Sequence, residues 1–85
     1  MKKFEYVIKD EVGIHARPAG MLAKEAKKYS SKIVIKCGEK SAEAGKLMAV
    51  MSLGVKCGQK VEVEITGADE ETACEKVQEF FVANL

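Results

Sequence analysis

The hydrophobic and polar positions of the chain follow two periods, and the first is the two-residue period of a β-strand. Near the start of the chain, Phe4, Tyr6 and Ile8 fall on one face, and the residues between them fall on the other. This alternation predicts strands with one buried face and one solvated face. Four segments are predicted strands, the third of them short and weak: KFEYVIK, KIVIKC, SAEA and KVEVEIT.

The second period is that of a helix, with apolar residues three and four positions apart. Ala19, Leu22 and Ala26 form such a stripe in a first predicted helix. A similar stripe near the end of the chain predicts a last helix, and Asp69 just before it is expected to cap it. The segment between the third and fourth strands predicts a short middle helix.

The predicted order of elements is therefore β-α-β-β-α-β-α. Because the strands alternate, the sheet has one dry face, and the helices must cover it. This arrangement is an α/β plait of the α+β class, an open-faced sandwich of helices on an antiparallel sheet. The chain shows no repeat, linker or low-complexity tract, so we expect residues 1–85 to form a single domain.

Composition narrows the range of partners and sites. A net charge of +1 produces no strong electrostatic field that would attract nucleic acid. The first helix carries several lysines, but the strands lack the paired stacking aromatic residues of an RNA-binding plait. No apolar run approaches the roughly 20 residues that span a bilayer, and charged residues interrupt any signal-peptide core. The spacings of Cys37, Cys57 and Cys74 fit no metal motif. We expect a cytoplasmic protein with reduced thiols, without metal or cofactor.

The candidate chemistry lies in the stretch VGIHARPAG, which holds the only histidine and the only proline of the chain. Pro18 lacks an N–H and is best tolerated in the first turn of a helix, so it predicts a helix start near His15. The free N–H groups of Ala16 and Arg17 would then form an anion site beside the imidazole. A neutral His15 there could act as a nucleophile that accepts a phosphoryl group. The alternative is a histidine that merely occupies the helix cap.

The chain resembles the HPr family, the histidine-containing phosphocarriers of the bacterial sugar phosphotransferase system. The segments GIHARPAG and MAVMSLGV carry the resemblance, which continues through TGADEETA near the end of the chain. The family fold is a four-stranded antiparallel sheet with three helices on one face, in agreement with the predicted plait.

The resemblance implies a carrier that is itself phosphorylated rather than an enzyme. Enzyme I would pass a phosphoryl group to Nδ1 of His15, beside Arg17, and His15 would pass it to the enzyme IIA components of sugar transporters. We expect a monomer. A regulatory paralogue, phosphorylated at His15 but signalling instead of supplying transporters, is the alternative. The resemblance places partner docking on the first and middle helices, at Ala16, Gly20, Leu47, Met48 and Met51.

The chain departs from the family pattern at Lys46. Members from Gram-positive bacteria carry a regulatory serine there, in segments like KSIMGVMSLG, whereas this chain has GKLMAVMSLG. A lysine has no hydroxyl to phosphorylate. We therefore expect no ATP-dependent regulatory phosphorylation at this position.

Overall fold

Seven elements build the fold, and the computed structural model describes all 85 residues. Their order is the predicted β-α-β-β-α-β-α, and each predicted segment forms the element expected of it. None of the helices combines the length and the apolar character that crossing a lipid bilayer requires. The elements are β1 (Lys2–Val7), α1 (Ala16–Ala26), β2 (Lys32–Cys37), β3 (Lys40–Glu43), α2 (Leu47–Ser52), β4 (Lys60–Thr66) and α3 (Glu70–Asn84).

The four strands form one antiparallel sheet in the order β1-β4-β2-β3. In β4, Val61, Val63 and Ile65 are buried, whereas Glu62 and Glu64 between them are half-buried on the other face. This is the alternation that the sequence pattern predicts. Residues of all three helices join the buried strand residues in one hydrophobic core. The predicted four-stranded open-faced sandwich is confirmed.

Phe81 of α3 is the largest fully buried side chain of the core. Its ring meets the rings of Phe4 and Tyr6 edge-on, with centroids 5.5 and 5.6 Å apart. Such pairs stabilise a fold by about 0.5–1.5 kcal/mol each beyond the area they bury. The contacts fix the end of the chain against the strand that leads into the histidine loop.

Asp69 occupies the N-cap position of α3, but the expectation that its side chain caps the helix is wrong. The carboxylate accepts hydrogen bonds from the N–H groups of Ser30 and Ser31, each at 3.0 Å, and from the Ser31 hydroxyl. These three donors lie on the segment entering β2, far away in sequence, and they bind both carboxylate oxygens. Asp69 thus ties the start of α3 to the turn between α1 and β2.

We expect the Asp69 contacts to make stability depend on pH. The Ser31 hydroxyl, with the N–H groups of Ser30 and Ser31, lowers the pKa of the Asp69 carboxyl below its ordinary value. The ionised Asp69 carboxylate therefore stabilises the fold above about pH 4, near the ordinary pKa of aspartate. This stabilisation is lost as the pH falls through the lower pKa of the folded state. In urea titrations, the stability difference between wild type and Asp69→Asn should shrink as the solution is acidified. Glu39→Gln, on an exposed turn, is the control, and an equal pH trend in both variants would contradict the assignment.

Candidate functional site

The loop between β1 and α1 is held rigidly against the loop before β4. The N–H of Ile14 donates to the carbonyl of Val55 at 3.0 Å, and the N–H of Gly58 donates to the carbonyl of Ile8 at 2.8 Å. Gly13 makes the close approach possible. It adopts φ +79°, and a Cβ there would overlap the Val55 carbonyl oxygen. Gly13, two positions before His15, therefore packs directly against the backbone of Val55.

His15 is the N-cap residue of α1, as the position of Pro18 predicts. Its backbone is extended, and its carbonyl accepts the first helical hydrogen bond, from Ala19 N–H at 3.0 Å. The imidazole makes no capping hydrogen bond, and 39% of the side chain is exposed. A histidine kept only as a cap would use its ring nitrogen on the helix, so the ring is free for another role.

The first turn of α1 presents unpaired N–H groups beside the imidazole. Neither Ala16 nor Arg17 donates its N–H to a backbone partner, and Pro18 has none to donate. Such a helix end carries a partial positive charge equivalent to about half an elementary charge. The arrangement can bind an anion next to His15, with the Arg17 guanidinium as a second donor.

His15 and Arg17 open into the same surface depression, which has a volume of about 260 Å³. The sequence motif predicts these two as site residues, but it does not predict the other residues that line the depression. Asp10 lies five positions before His15, and Ala83 and Asn84 belong to the far end of the chain. The two ends of the chain meet through long-range hydrogen bonds, in which the N–H groups of Lys9 and Asp10 donate to the main-chain oxygen of Leu85. No local sequence pattern indicates such a contact. The remaining lining residues are Pro18 and Met21.

Asp10 is firmly placed within this site. Its Oδ1 accepts the N–H of Val12 at 2.9 Å, and its own carbonyl accepts the N–H of Gly13 at 2.9 Å. The second carboxylate oxygen, Oδ2, then lies 3.9 Å from Nε2 of His15. This separation is too long for a hydrogen bond, so the carboxylate acts on this nitrogen only through its own charge. The loop therefore directs a negative charge at one of the two ring nitrogens.

The family model for the HPr component of the phosphotransferase system, described as its phosphorylation site, matches residues 2–83 of the chain. The chain belongs to the HPr family. Phosphocarrier protein HPr of Mycoplasma capricolum is 39% identical to it over 82 residues, which cover 96% of this chain and 92% of that protein.

Solved structures of HPr proteins agree with this membership. A mycoplasmal histidine-containing phosphocarrier protein superimposes with a TM-score of 0.94 at 38% identity, covering 96% of this chain and 93% of the other. An HPr dimer from Thermoanaerobacter tengcongensis gives a TM-score of 0.77 at 36% identity, covering 98% and 95%. Solved relatives therefore include a dimeric form.

The second feature of this HPr chain is an apolar surface on α1 and α2. Met48 is 75% exposed, and Leu47 and Met51 are each more than one-third exposed. Gly20 is partly exposed on α1, and a Cβ added there would meet nothing within 4 Å. We call this surface the docking face, after the role that the family resemblance predicts for it, and it comprises Ala16, Gly20, Met21, Leu47, Met48 and Met51. Met21, 41% exposed, is the one member that the resemblance does not indicate.

The periodicity of the middle helix groups Leu47 and Met51 with Val50, and the structure separates them. Val50 is fully buried, whereas the other two face solvent in part. Helical residues are about 100° apart, so the core contacts only those positions of α2 that lie on one side of the helix. Val50 is the only fully buried residue of α2, whereas Leu47 and Met51 are 38% and 36% exposed.

The side chains outside the histidine site do not form a metal-binding cluster. The three cysteines are free thiols, and the structure contains no cluster of three or more histidine, cysteine or acidic side chains that could hold a metal ion.

Proposed function

We propose that this chain is a cytoplasmic, monomeric phosphocarrier. It accepts a phosphoryl group from phospho-enzyme I on His15 and passes it to enzyme IIA components of sugar transporters. The observation that supports this most strongly is the position of His15, free of any capping bond, beside the unpaired N–H groups of Ala16 and Arg17. The chain acts in this scheme as the substrate of both transfers and not as an enzyme.

The geometry favours Nδ1 as the atom that receives the phosphoryl group. Nδ1 is bonded to Cγ and is the ring nitrogen closer to the backbone, hence to the start of α1. Nε2 is turned to Asp10 instead. A phosphoryl group on Nδ1 would bring its oxygens to the free N–H groups, whose dipoles stabilise negative charge there.

Arg17 contributes a delocalised cation at the edge of the same depression. Its forked N–H donors match two oxygens of a phosphoryl group, and such charge-assisted bonds are stronger than neutral ones. Because the side chain is exposed, it can turn between the free and the phosphorylated histidine without displacing core residues. Arg17 is therefore assigned to stabilising the transferred group.

Phosphorylation by enzyme I and phosphoenolpyruvate tests this function. The intact mass should rise by one phosphoryl group, and the adduct should be labile in acid and stable in alkali, as expected of a P–N bond. Adding an enzyme IIA component should then return the chain to its original mass. A chain that takes up no phosphoryl group contradicts the carrier proposal, and one that keeps it in the presence of IIA components supports the regulatory alternative.

The docking face gives a further expected result. Met48→Asp should weaken binding to enzyme I, because it places a charge within an apolar surface that adapts to different partners. Since the side chain is exposed, the free energy of unfolding should change by no more than about 0.5 kcal/mol. Val82→Asp is the matched control: Val82 is 68% exposed but lies on α3, which contributes no residue to the docking face. Equal binding losses in the two variants, measured by calorimetry, would rule out a specific role for Met48.

Lys46 occupies the N-cap position of α2, with no capping hydrogen bond, and its Nζ lies 3.7 Å from Glu43. Lys46→Ser should stabilise the fold by about 0.5–1 kcal/mol, because a serine there can cap the helix and the lost surface ion pair contributes little. Lys46→Ala, which removes the charge without supplying a cap, should not show this gain in urea unfolding.

The same variant tests the regulatory expectation. Incubated with ATP and a Gram-positive HPr kinase, Lys46→Ser should gain one phosphate, whereas wild type should gain none. Ser52 donates its hydroxyl to the Ala49 carbonyl at 2.8 Å within α2, so it is a poor substitute. Phosphate on wild-type Ser41 or Ser52, located by mass spectrometry, would restore a regulatory role.

A further inference from the structure

The carboxylate of Asp10 faces His15 in a way that the phosphocarrier scheme above does not use. Three hydrogen bonds hold the residue: its N–H donates to Leu85, its carbonyl accepts from Gly13, and its Oδ1 accepts from Val12. Only Oδ2 is left for another contact, and it lies 3.9 Å from His15 Nε2. Both side chains line the same depression, in which Arg17 is the only other charged residue.

We propose that Asp10 is a positioning residue that keeps the proton of the neutral imidazole on Nε2 and so leaves the lone pair of His15 on Nδ1. A neutral imidazole carries its proton on one nitrogen, and the environment of the other nitrogen decides which. A carboxylate accepts and cannot donate, so it favours the N–H at the nitrogen it faces. The lone pair is then left on Nδ1, the ring nitrogen nearer to the backbone of His15, which is the N-cap residue of α1.

The transfer itself, which rests on the proposed function, uses the lone pair that Asp10 keeps on Nδ1. The lone pair of Nδ1 attacks phosphorus, the P–N bond to the donor histidine breaks, and its electron pair returns to the donor ring. No proton needs to leave His15. Its ring becomes a cation that keeps the proton on Nε2, and Asp10 faces that cation across the depression. The carboxylate attracts this ring cation but repels the negative oxygens of the phosphoryl group on Nδ1, so its role lies in positioning the proton before the transfer.

The charge and the loop geometry can be separated by one substitution. Asp10→Asn keeps an oxygen that accepts the Val12 N–H, so the turn persists, but its amide group presents a donor or a neutral oxygen to Nε2. Glu11→Gln removes the same formal charge from the adjacent, exposed residue, which makes no contact with His15. Should Asp10→Asn fold poorly, Asp10→Ser keeps an acceptor for the turn and also removes the charge.

The experiment is nitrogen-15 NMR of the single imidazole in the unphosphorylated full chain at about pH 9, where imidazoles are neutral. The ratio of the Nε2–H to the Nδ1–H tautomer should fall in Asp10→Asn by less than the roughly fivefold that two full charges about 4 Å apart in water would give, because the neutral ring presents only a partial charge to the carboxylate. Glu11→Gln should keep the wild-type ratio. An unchanged ratio in Asp10→Asn, or an equal fall in both variants, overturns the proposal.

The tautomer ratio is measured without any phosphoryl donor, so the carrier function and the positioning role of Asp10 can be contradicted independently of each other. A wild-type chain that takes no phosphoryl group defeats the carrier function alone, and an unchanged tautomer ratio defeats the role of Asp10 alone.

Discussion

The His15→Ala chain should take up no phosphoryl group from enzyme I and phosphoenolpyruvate, while remaining folded. His15 is the only histidine of the chain, and the other residues that line the depression offer no imidazole to replace it. The imidazole makes no capping bond and is partly exposed, so its removal leaves no buried polar group without a partner. We therefore expect unfolding free energies within about 1 kcal/mol of wild type, and intact mass spectrometry to show no adduct.

Arg17→Ala is the comparison that separates the nucleophile from its surroundings. It should still be phosphorylated, but more slowly by about 10- to 150-fold, because a charge-assisted contact to an anion contributes roughly 1.5–3 kcal/mol. A phosphorylated His15→Ala chain would place the acceptor elsewhere. Arg17→Ala with wild-type rates would mean that the helix N–H groups suffice without the guanidinium.

The Gly13→Ala chain should be destabilised by at least about 2 kcal/mol, the largest effect on stability that we expect of a single methyl group here. Gly13 has φ +79°, a conformation that costs other residues energy, and its Cβ would also lie 2.8 Å from the Cα of Lys56. The neighbouring atoms belong to backbone, so they cannot move aside as a flexible side chain could. Urea unfolding monitored by circular dichroism measures the loss.

Gly20→Ala is the matched control, since it adds the same methyl group within α1, seven residues after Gly13. Here the Cβ would meet nothing within 4 Å and the glycine lies in a helix, so stability should rise by up to about 1 kcal/mol. We therefore expect the free energy of unfolding to fall in Gly13→Ala and to rise in Gly20→Ala. A Gly13→Ala chain as stable as wild type would show that the loop can move away from Val55 at little cost.

Gly13→Ala should also slow phosphoryl uptake in whatever fraction remains folded. The clash pushes on the Val55 carbonyl, which accepts the N–H of Ile14, the residue before His15. A shift there moves the imidazole relative to the N–H groups of Ala16 and Arg17. Small displacements of this kind reduce transfer rates, because the reacting atoms must already be aligned when the partner docks.

The local part of this protein could be predicted from its sequence, because the signals involved act over a few residues. Alternation in the strands and the apolar stripes of the helices depend on the two- and 3.6-residue periods. Pro18 determined where α1 begins, and that alone placed His15 at the helix end with two free N–H groups beside it. The resemblance to the HPr family then predicted a phosphoryl group as the anion of this site.

The tertiary structure decided what depends on contacts between distant segments. Asp69 was expected to cap α3, but donors from Ser30 and Ser31 reach both of its oxygens only once α1 and β2 are in place. The periodicity of α2 could not divide Val50 from Leu47 and Met51, because the arc that the core covers depends on how the helix lies on its neighbours. Asp10 gained its place near Nε2 of His15 through the packing of the Gly13 loop and the Leu85 end of α3, and no local rule of sequence describes either contact.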